Sequence, residues 1–387
     1  MHEDSQKTGR NGASGPLIGL KVLEFAGIGP GPFCGQLLSD AGADVVRIDR
    51  TTAADANPCE VTKRGRKSLA LNLKDPNAVE LCLELIEKAD LLFEGFRPGV
   101  MERLGLGPKV AHARNPKLVY GRMTGWGQDG PLSHAAGHDI NYIAITGALH
   151  AIGTKDRPIP PLNLVGDFGG GALYLAFGLL AAHRNALRTG KGQVVDVAMS
   201  DGAASLMSFF YGLRADGQLS DSRADNRLDG GAHFYNTYEC SDGKWIAIGS
   251  FEAQFYEILL DKTGLKEYPD FAHQLDKTLW PKLSAKLEEI FLEKTRDEWC
   301  AVFEGSDACF APVLDMVEAP NHAHNLSRGT FIEVDGVVQP APAPKFLDTP
   351  GKIQFSSVAA GAHNETALED WGVPQSRIDT LITGGVI

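Results

Sequence analysis

From Leu17 onward, short apolar runs alternate with stretches in which apolar residues return every three or four positions. The first pattern predicts buried strands and the second amphipathic helices. Leu20–Phe25 is an apolar run ending in the turn AGIGPGP (Ala26–Pro32), and a helix is expected from there to Ala41. Ala43–Ile48 predicts a second strand, Lys67–Leu73 a third, and Leu91–Phe96 and Leu118–Met123 two more. Asp75-Pro76 supplies a helix cap followed by proline at the first helical position. Val79, Cys82, Leu83 and Ile86 then fall on one helical face. Strand and helix in alternation imply a mostly parallel sheet. A long apolar helix is expected from about Gly170 to Arg188, then a strand at Gln193–Ala198 and a helix from about Ser200.

Around Arg223–Gly231 the chain turns polar and glycine-rich, which marks a linker. Beyond it, Phe234–Glu239 and Trp245–Ile248 flank the turn Ser241-Asp242-Gly243 and predict a hairpin. Thr295 and Glu298 form a capping box that opens a helix. Phe331–Val338 predicts a further hairpin around Asp335-Gly336, and the proline-rich run Gln339–Pro344 leads the chain back toward the first domain. The expected organisation is a disordered tail at 1–16, a large α/β domain at 17–224, a smaller α+β domain at 225–330, and a return segment at 331–387 that completes the large domain.

Composition narrows the function. The 387 residues are enough for two or three domains. A net charge of −12 disfavours nucleic acid as a partner, because phosphate backbones require a basic surface. The six cysteines are scattered without CxxC spacing, which argues against a zinc or redox motif and fits a reducing cytoplasm. No metal-ligand constellation is evident. The first fifteen residues do not resemble a signal peptide, and the closing Gly385-Val386-Ile387 is not a peroxisomal signal. The longest apolar stretch, Phe168–Ala182, is short for a membrane span and reads as a buried helix.

Gly27, Gly29 and Gly31 after the first strand, with Asp49-Arg50 after the second, suggest a dinucleotide site. The spacing is GxGxG rather than GxGxxG. Pro30 and Pro32 also remove backbone N–H groups where a pyrophosphate would need them. A tight strand-to-helix turn is the better reading.

Several blocks together resemble the class III CoA-transferase family, and within it the α-methylacyl-CoA racemase branch. They are GLKVLEFAGIGPGP (Gly19–Pro32), ADVVRIDR (Ala43–Arg50), EGFRPGVMERLGLG (Glu94–Gly107), RMTGWGQDGP (Arg122–Pro131), GHDINY (Gly137–Tyr142), PPLNLVGDFGGG (Pro160–Gly171), LDGGAHFYNTYECSDG (Leu228–Gly243) and SDACFAPVLD (Ser306–Asp315). GHDINY and NLVGD are the blocks that favour the racemase branch. The resemblance implies a Rossmann-like large domain built from both chain ends, a smaller α+β domain, and an interlocked homodimer with the site shared between subunits. It also implies an acyl-CoA thioester as substrate and no separate cofactor, CoA being part of the substrate.

Inverting a carbon beside a thioester carbonyl requires a base on one face, an acid on the other, and stabilisation of the enolate between them. By the resemblance, His138 and Asp167 are the acid/base pair and Glu252 orients the histidine. Asp139 is expected to offer its backbone N–H to the thioester oxygen. Taken alone, Asp167 before Phe-Gly-Gly-Gly would read as a helix cap and Glu252 as a solvated first-turn acid. The resemblance assigns CoA contacts to Arg50, Leu71, Asn72, Leu73, Lys74, Gly95, Phe96, Arg97 and Arg103. By the resemblance, Gly137, Ile140, Asn141, Tyr142 and Asn163 also belong to the substrate- and CoA-binding set. A CoA-transferase remains the alternative, with Asp139 as the nucleophile that forms an acyl anhydride.

Overall fold

The computed structural model describes residues 14–51 and 55–387. Residues 1–13 of the expected tail lie outside the described residues, but Ser14 is already engaged, its Oγ donating to the Pro350 carbonyl at 2.6 Å. Two compact units are present. One comprises the described residues of 14–146, 162–206 and 329–387; the other comprises 147–161 and 207–328. The second unit therefore begins before the polar stretch near residue 225 and includes a short segment that precedes the long apolar helix. Local composition does not register that segment, because its membership is set by contacts distant in sequence.

The first unit is built on six parallel strands: β1 (Lys21–Phe25), β2 (Asp44–Asp49), β3 (Lys67–Ala70), β4 (Leu91–Glu94), β5 (Val119–Thr124) and β6 (Val194–Ala198). Their order is β3-β2-β1-β4-β5-β6. Most strand residues are buried, as parallel sheets covered on both faces require. Alternate residues feed two cores. Leu23, Phe25, Val46, Ile48 and Leu92 face helix α2 (Pro76–Ile86) and the C-terminal helices. Val22, Val45, Leu91 and Phe93 face helix α1 (Pro30–Asp40) and the helix Leu173–Thr189. The strand order reverses between β1 and β4, and ligands of such sheets bind beyond the carboxyl ends at that point.

Three elements depart from the sequence expectation for local reasons. β3 ends at Ala70 because Asn72 Oδ1 accepts the Lys74 N–H at 3.2 Å and turns the chain into the Asp75 cap of α2. β4 ends at Glu94 because its own carboxylate accepts the Phe96 N–H at 2.7 Å. The long apolar helix starts at Leu164, not Gly170, and its first nine residues, Leu164–Ala172, are a π-helix. Their glycines carry no side chains to oppose the wider turn, and Gly170 meets Gly202 of the helix Met199–Leu206 backbone to backbone. By length and composition the continuous helix Leu164–Thr189 could cross a bilayer. Here it is part of the crossover between β5 and β6, with Leu175 and Leu179 fully buried on the sheet.

The second unit has a three-stranded antiparallel sheet of β7 (Tyr235–Glu239), β8 (Trp245–Gly249) and β9 (Phe310–Val313). The helices Ala253–Thr263, Trp280–Phe291 and Arg296–Phe303 contribute to its core. The expected capping box at Thr295 and Glu298 is present. The hairpin of β10 (Phe331–Val334) and β11 (Val337–Pro340) turns at Asp335 and Gly336, whose φ angles of 49° and 78° suit a two-residue hairpin turn.

Candidate active site

His138 and Asp139 open the short helix α4 (Asp139–Ala144). His138 is exposed, and its backbone N–H donates to Asn141 Oδ1 at 3.1 Å, which fixes the entry to the helix. Asp139 turns inward and is buried. Its Oδ2 accepts the backbone N–H of Asp167 at 2.6 Å, and its Oδ1 is buried without a hydrogen-bond partner among the described residues. Gly166 stands flush against that carboxylate: a Cβ there would come within 2.5 Å of Asp139 Oδ2.

Asp167 is held from three sides. Its backbone is tied to Asp139, and its Oδ2 accepts a hydrogen bond from Asn163 Nδ2 at 3.2 Å. Gly29, at φ 67°, brings the β1–α1 turn so close that a Cβ would lie 2.9 Å from Asp167 Oδ2. The AGIGPGP turn thus packs on a carboxylate rather than on a pyrophosphate. Burial raises the Asp167 carboxyl above the ordinary aspartate range, and the nearby Asp139 charge adds to the rise. The Asn163 hydrogen bond and a positive charge on His138 act the other way. The carboxyl is therefore easier to protonate than a free one, as a proton donor requires.

Tyr142 supports this corner from below. It is buried, its hydroxyl donates to the Gly137 carbonyl, and its ring meets Trp126 edge-on at 4.9 Å. Its hydroxyl is raised mainly by burial, then by Asp167, while Arg97 opposes the rise. Arg97 is thereby linked electrostatically to the same corner. Ile140 and Asn141 are exposed on α4, and Gly137 is half-buried beside the Tyr142 ring.

The expected CoA contacts gather at the carboxyl ends of three strands. Arg50 follows β2, Leu71–Lys74 follow β3, and Gly95–Arg97 follow β4, with Arg103 closing the short helix α3 (Val100–Arg103). Arg50, Lys74, Arg97 and Arg103 are all exposed. Leu71 is buried and Leu73 and Phe96 are half-buried, so the cations stand beside apolar surface. This pairing suits a ligand that is anionic at one end and uncharged along its length.

Glu252 belongs to the other unit. It is exposed, at the N-cap of the helix Ala253–Thr263. Next to it, Phe251 lines a cavity of about 610 Å³ together with Met207, Phe209, Phe210, Leu219 and Leu228. Among the described residues, no group of three or more His, Cys, Asp or Glu side chains is arranged to hold a metal ion.

A profile of CoA-transferase family III matches residues 17–364. The chain belongs to CoA-transferase family III. Alpha-methylacyl-CoA racemase from Homo sapiens is 42% identical over 376 residues, which cover 96% of this chain and 97% of that protein. The enzyme of the same name from Mus musculus is 43% identical over 375 residues, covering 96% and 97%. Among solved structures, a CAIB/BAIF family protein from Brucella suis superposes with a TM-score of 0.79 at 25% identity, covering 92% of this chain and all of that one.

Within this member of CoA-transferase family III, sequence reasoning missed two features. One is the contact of Gly29 with Asp167. Glycine at a turn signals backbone freedom but not what the turn touches. The other is the buried acid Glu94 behind the Gly95–Arg97 stretch, since a strand-end glutamate gives no sign in sequence that it points inward.

Proposed function

We propose that this chain is an α-methylacyl-CoA racemase, which inverts the α-carbon of 2-methyl-branched acyl-CoA thioesters. The observation that carries the reading is the disposition of His138, Asp139 and Asp167. Asp139 is buried and occupied by the Asp167 N–H, while His138 is exposed and Asp167 keeps a carboxyl that is easy to protonate. An anhydride-forming nucleophile needs the reverse, an accessible carboxylate at the position of Asp139. In the proposed reaction, one of His138 and Asp167 removes the α-proton. The electron pair moves into the thioester carbonyl, and the other group returns a proton to the opposite face. The roles exchange for the opposite epimer. The Asp139 backbone N–H, at the start of α4, is assigned to the enolate oxygen.

The exposed Arg50, Lys74, Arg97 and Arg103 are assigned to the phosphates of CoA. Leu71 and Leu73 are assigned to the adenine, and Gly95 and Phe96 to the pantetheine. A homodimer, with Glu252 orienting His138, is part of this reading. It extends to a cytoplasmic enzyme of fatty-acid and lipid metabolism that needs no separate cofactor.

The deciding experiment incubates the protein with one epimer of a 2-methylacyl-CoA and follows chirality. A parallel reaction contains a free carboxylate acceptor. The expected result is epimerisation without acyl exchange. Acyl exchange together with a hydroxylamine-sensitive adduct on Asp139, seen by mass spectrometry, would replace this reading with the transferase one.

A further inference from the structure

Behind the stretch assigned to CoA lies a brace of charged side chains that the reaction does not use. β4 ends at Glu94, whose side chain is 1% exposed. Glu94 Oε2 accepts the Phe96 N–H at 2.7 Å, and Oε1 accepts Arg122 Nε at 3.1 Å. Arg122 sits opposite Glu94 on β5. Its two remaining nitrogens grip the Glu102 carboxylate at 2.8 and 3.2 Å. Glu102 precedes Arg103 in α3. A single run of hydrogen bonds therefore starts at Phe96, passes through the sheet, and ends one residue from Arg103. It fixes both ends of the chain that carries Gly95, Phe96, Arg97 and Arg103.

A surface loop gains nothing from a buried carboxylate, which is costly to desolvate unless it is fully paired. Here the desolvated charge is matched by one guanidinium and one backbone donor, an arrangement that sets geometry more than stability. We infer that Glu94 is a positioning residue for CoA recognition, holding the Gly95–Arg103 stretch in the shape that receives pantetheine and phosphates. This rests on the CoA reading above and adds to it a residue that touches no ligand. The groups facing Glu94 are Arg122 and Tyr120 of β5 and Glu102 of α3. Burial pushes the Glu94 carboxyl up to about 7 against the pull of Phe96 N–H and Arg122, so its charge changes near neutrality.

The test uses full-length protein and free CoA in calorimetry, with kinetics on a 2-methylacyl-CoA. Glu94→Gln should weaken CoA binding by about tenfold at roughly pH 8, the loss expected for a charged hydrogen bond. KM should rise in step while kcat stays within about twofold, because the acid/base pair is untouched. In wild type, CoA affinity should fall as the pH drops through about 7, where Glu94 takes up its proton. The variant should retain only the shallower dependence contributed by the CoA phosphate itself, whose second pKa is about 6. If Glu94→Gln does not fold, Arg122→Lys breaks the same brace and should give the same KM-against-kcat split. A folded variant with wild-type CoA affinity and wild-type pH dependence would overturn the positioning role and leave the CoA reading standing. A wild-type protein that does not bind CoA would overturn both.

Discussion

The Asp139 carboxylate accepts the backbone N–H of Asp167 at 2.6 Å, so the two acids are linked through main chain rather than through a shared proton. The bond pins the π-helical turn that carries Asp167. Asp139→Asn retains an acceptor oxygen at the same place and should keep racemase activity within about tenfold of wild type. Asp139→Ala removes the acceptor, leaves a buried N–H unpaired, and should lose roughly 10- to 100-fold, as for a broken charged hydrogen bond. Equal and near-complete loss in both variants would point to the carboxylate acting as a nucleophile.

In deuterated water, wild type should wash solvent label into the α-position from either epimer. His138→Ala should lose epimerisation by at least about 100-fold, the lower bound for a positioned general acid or base. It should still exchange label from the epimer whose α-proton faces Asp167. Asp167→Asn should show the opposite preference. Racemisation by His138→Ala within about tenfold of wild type, with normal folding, would remove His138 from the mechanism.

Arg97→Ala and Arg103→Ala should each weaken free CoA binding by about 1–3 kcal/mol, the range for a charged hydrogen bond to phosphate. Their kcat values should change less than their KM values. Calorimetry giving wild-type affinity for both would relocate the phosphate site.

Acid should destabilise the second unit through His233. The ring is fully buried, Nε2 shares a hydrogen bond of 2.7 Å with the Tyr256 hydroxyl, and Nδ1 has no hydrogen-bond partner among the described residues. Burial pushes its pKa down to about 4. Between that value and about 6.5 the unfolded chain binds a proton that the folded chain refuses. The contribution is therefore intact above about pH 6.5, declines as pH falls, and levels off below about 4, for a loss of up to about 3 kcal/mol. His233→Gln cannot titrate and still offers Tyr256 a polar partner, so its urea midpoint should fall less across the same range. Parallel curves for wild type and variant would exclude His233 as the cause.

The sheet was readable from the chain because its strands are buried on both faces and announce themselves as apolar runs, as β1 and β4 do. Their ends were harder to place. β4 stops where the Glu94 side chain captures the Phe96 N–H, and no periodicity records that event. Likewise, the expectation of a helix from about Gly170 did not register that the chain would already coil as a π-helix from Leu164. The polar stretch near residue 225, expected to be a linker, lies inside the second unit, because the grouping of 147–161 with 207–328 depends on contacts that composition does not encode. The proposed acid/base residues could be read only as motifs. That Asp139 would turn inward and hold Asp167 by its main chain follows from packing at Gly166, which a motif does not contain.

The last residues of the chain close the first ones. Lys67 of β3 pairs with Asp370 at 2.7 Å, the Trp371 indole N–H donates to Asp44 at 3.0 Å, and Leu368, Trp371 and Leu381 are buried in the core shared with α2. During synthesis, α2 leaves the ribosome nearly three hundred residues ahead of these partners. At about 5–20 residues per second, the part of that core which these residues cover waits from roughly fifteen seconds to a minute. The nascent protein must be shielded over that interval. A message truncated before the final segment should yield an aggregation-prone product rather than a smaller working domain.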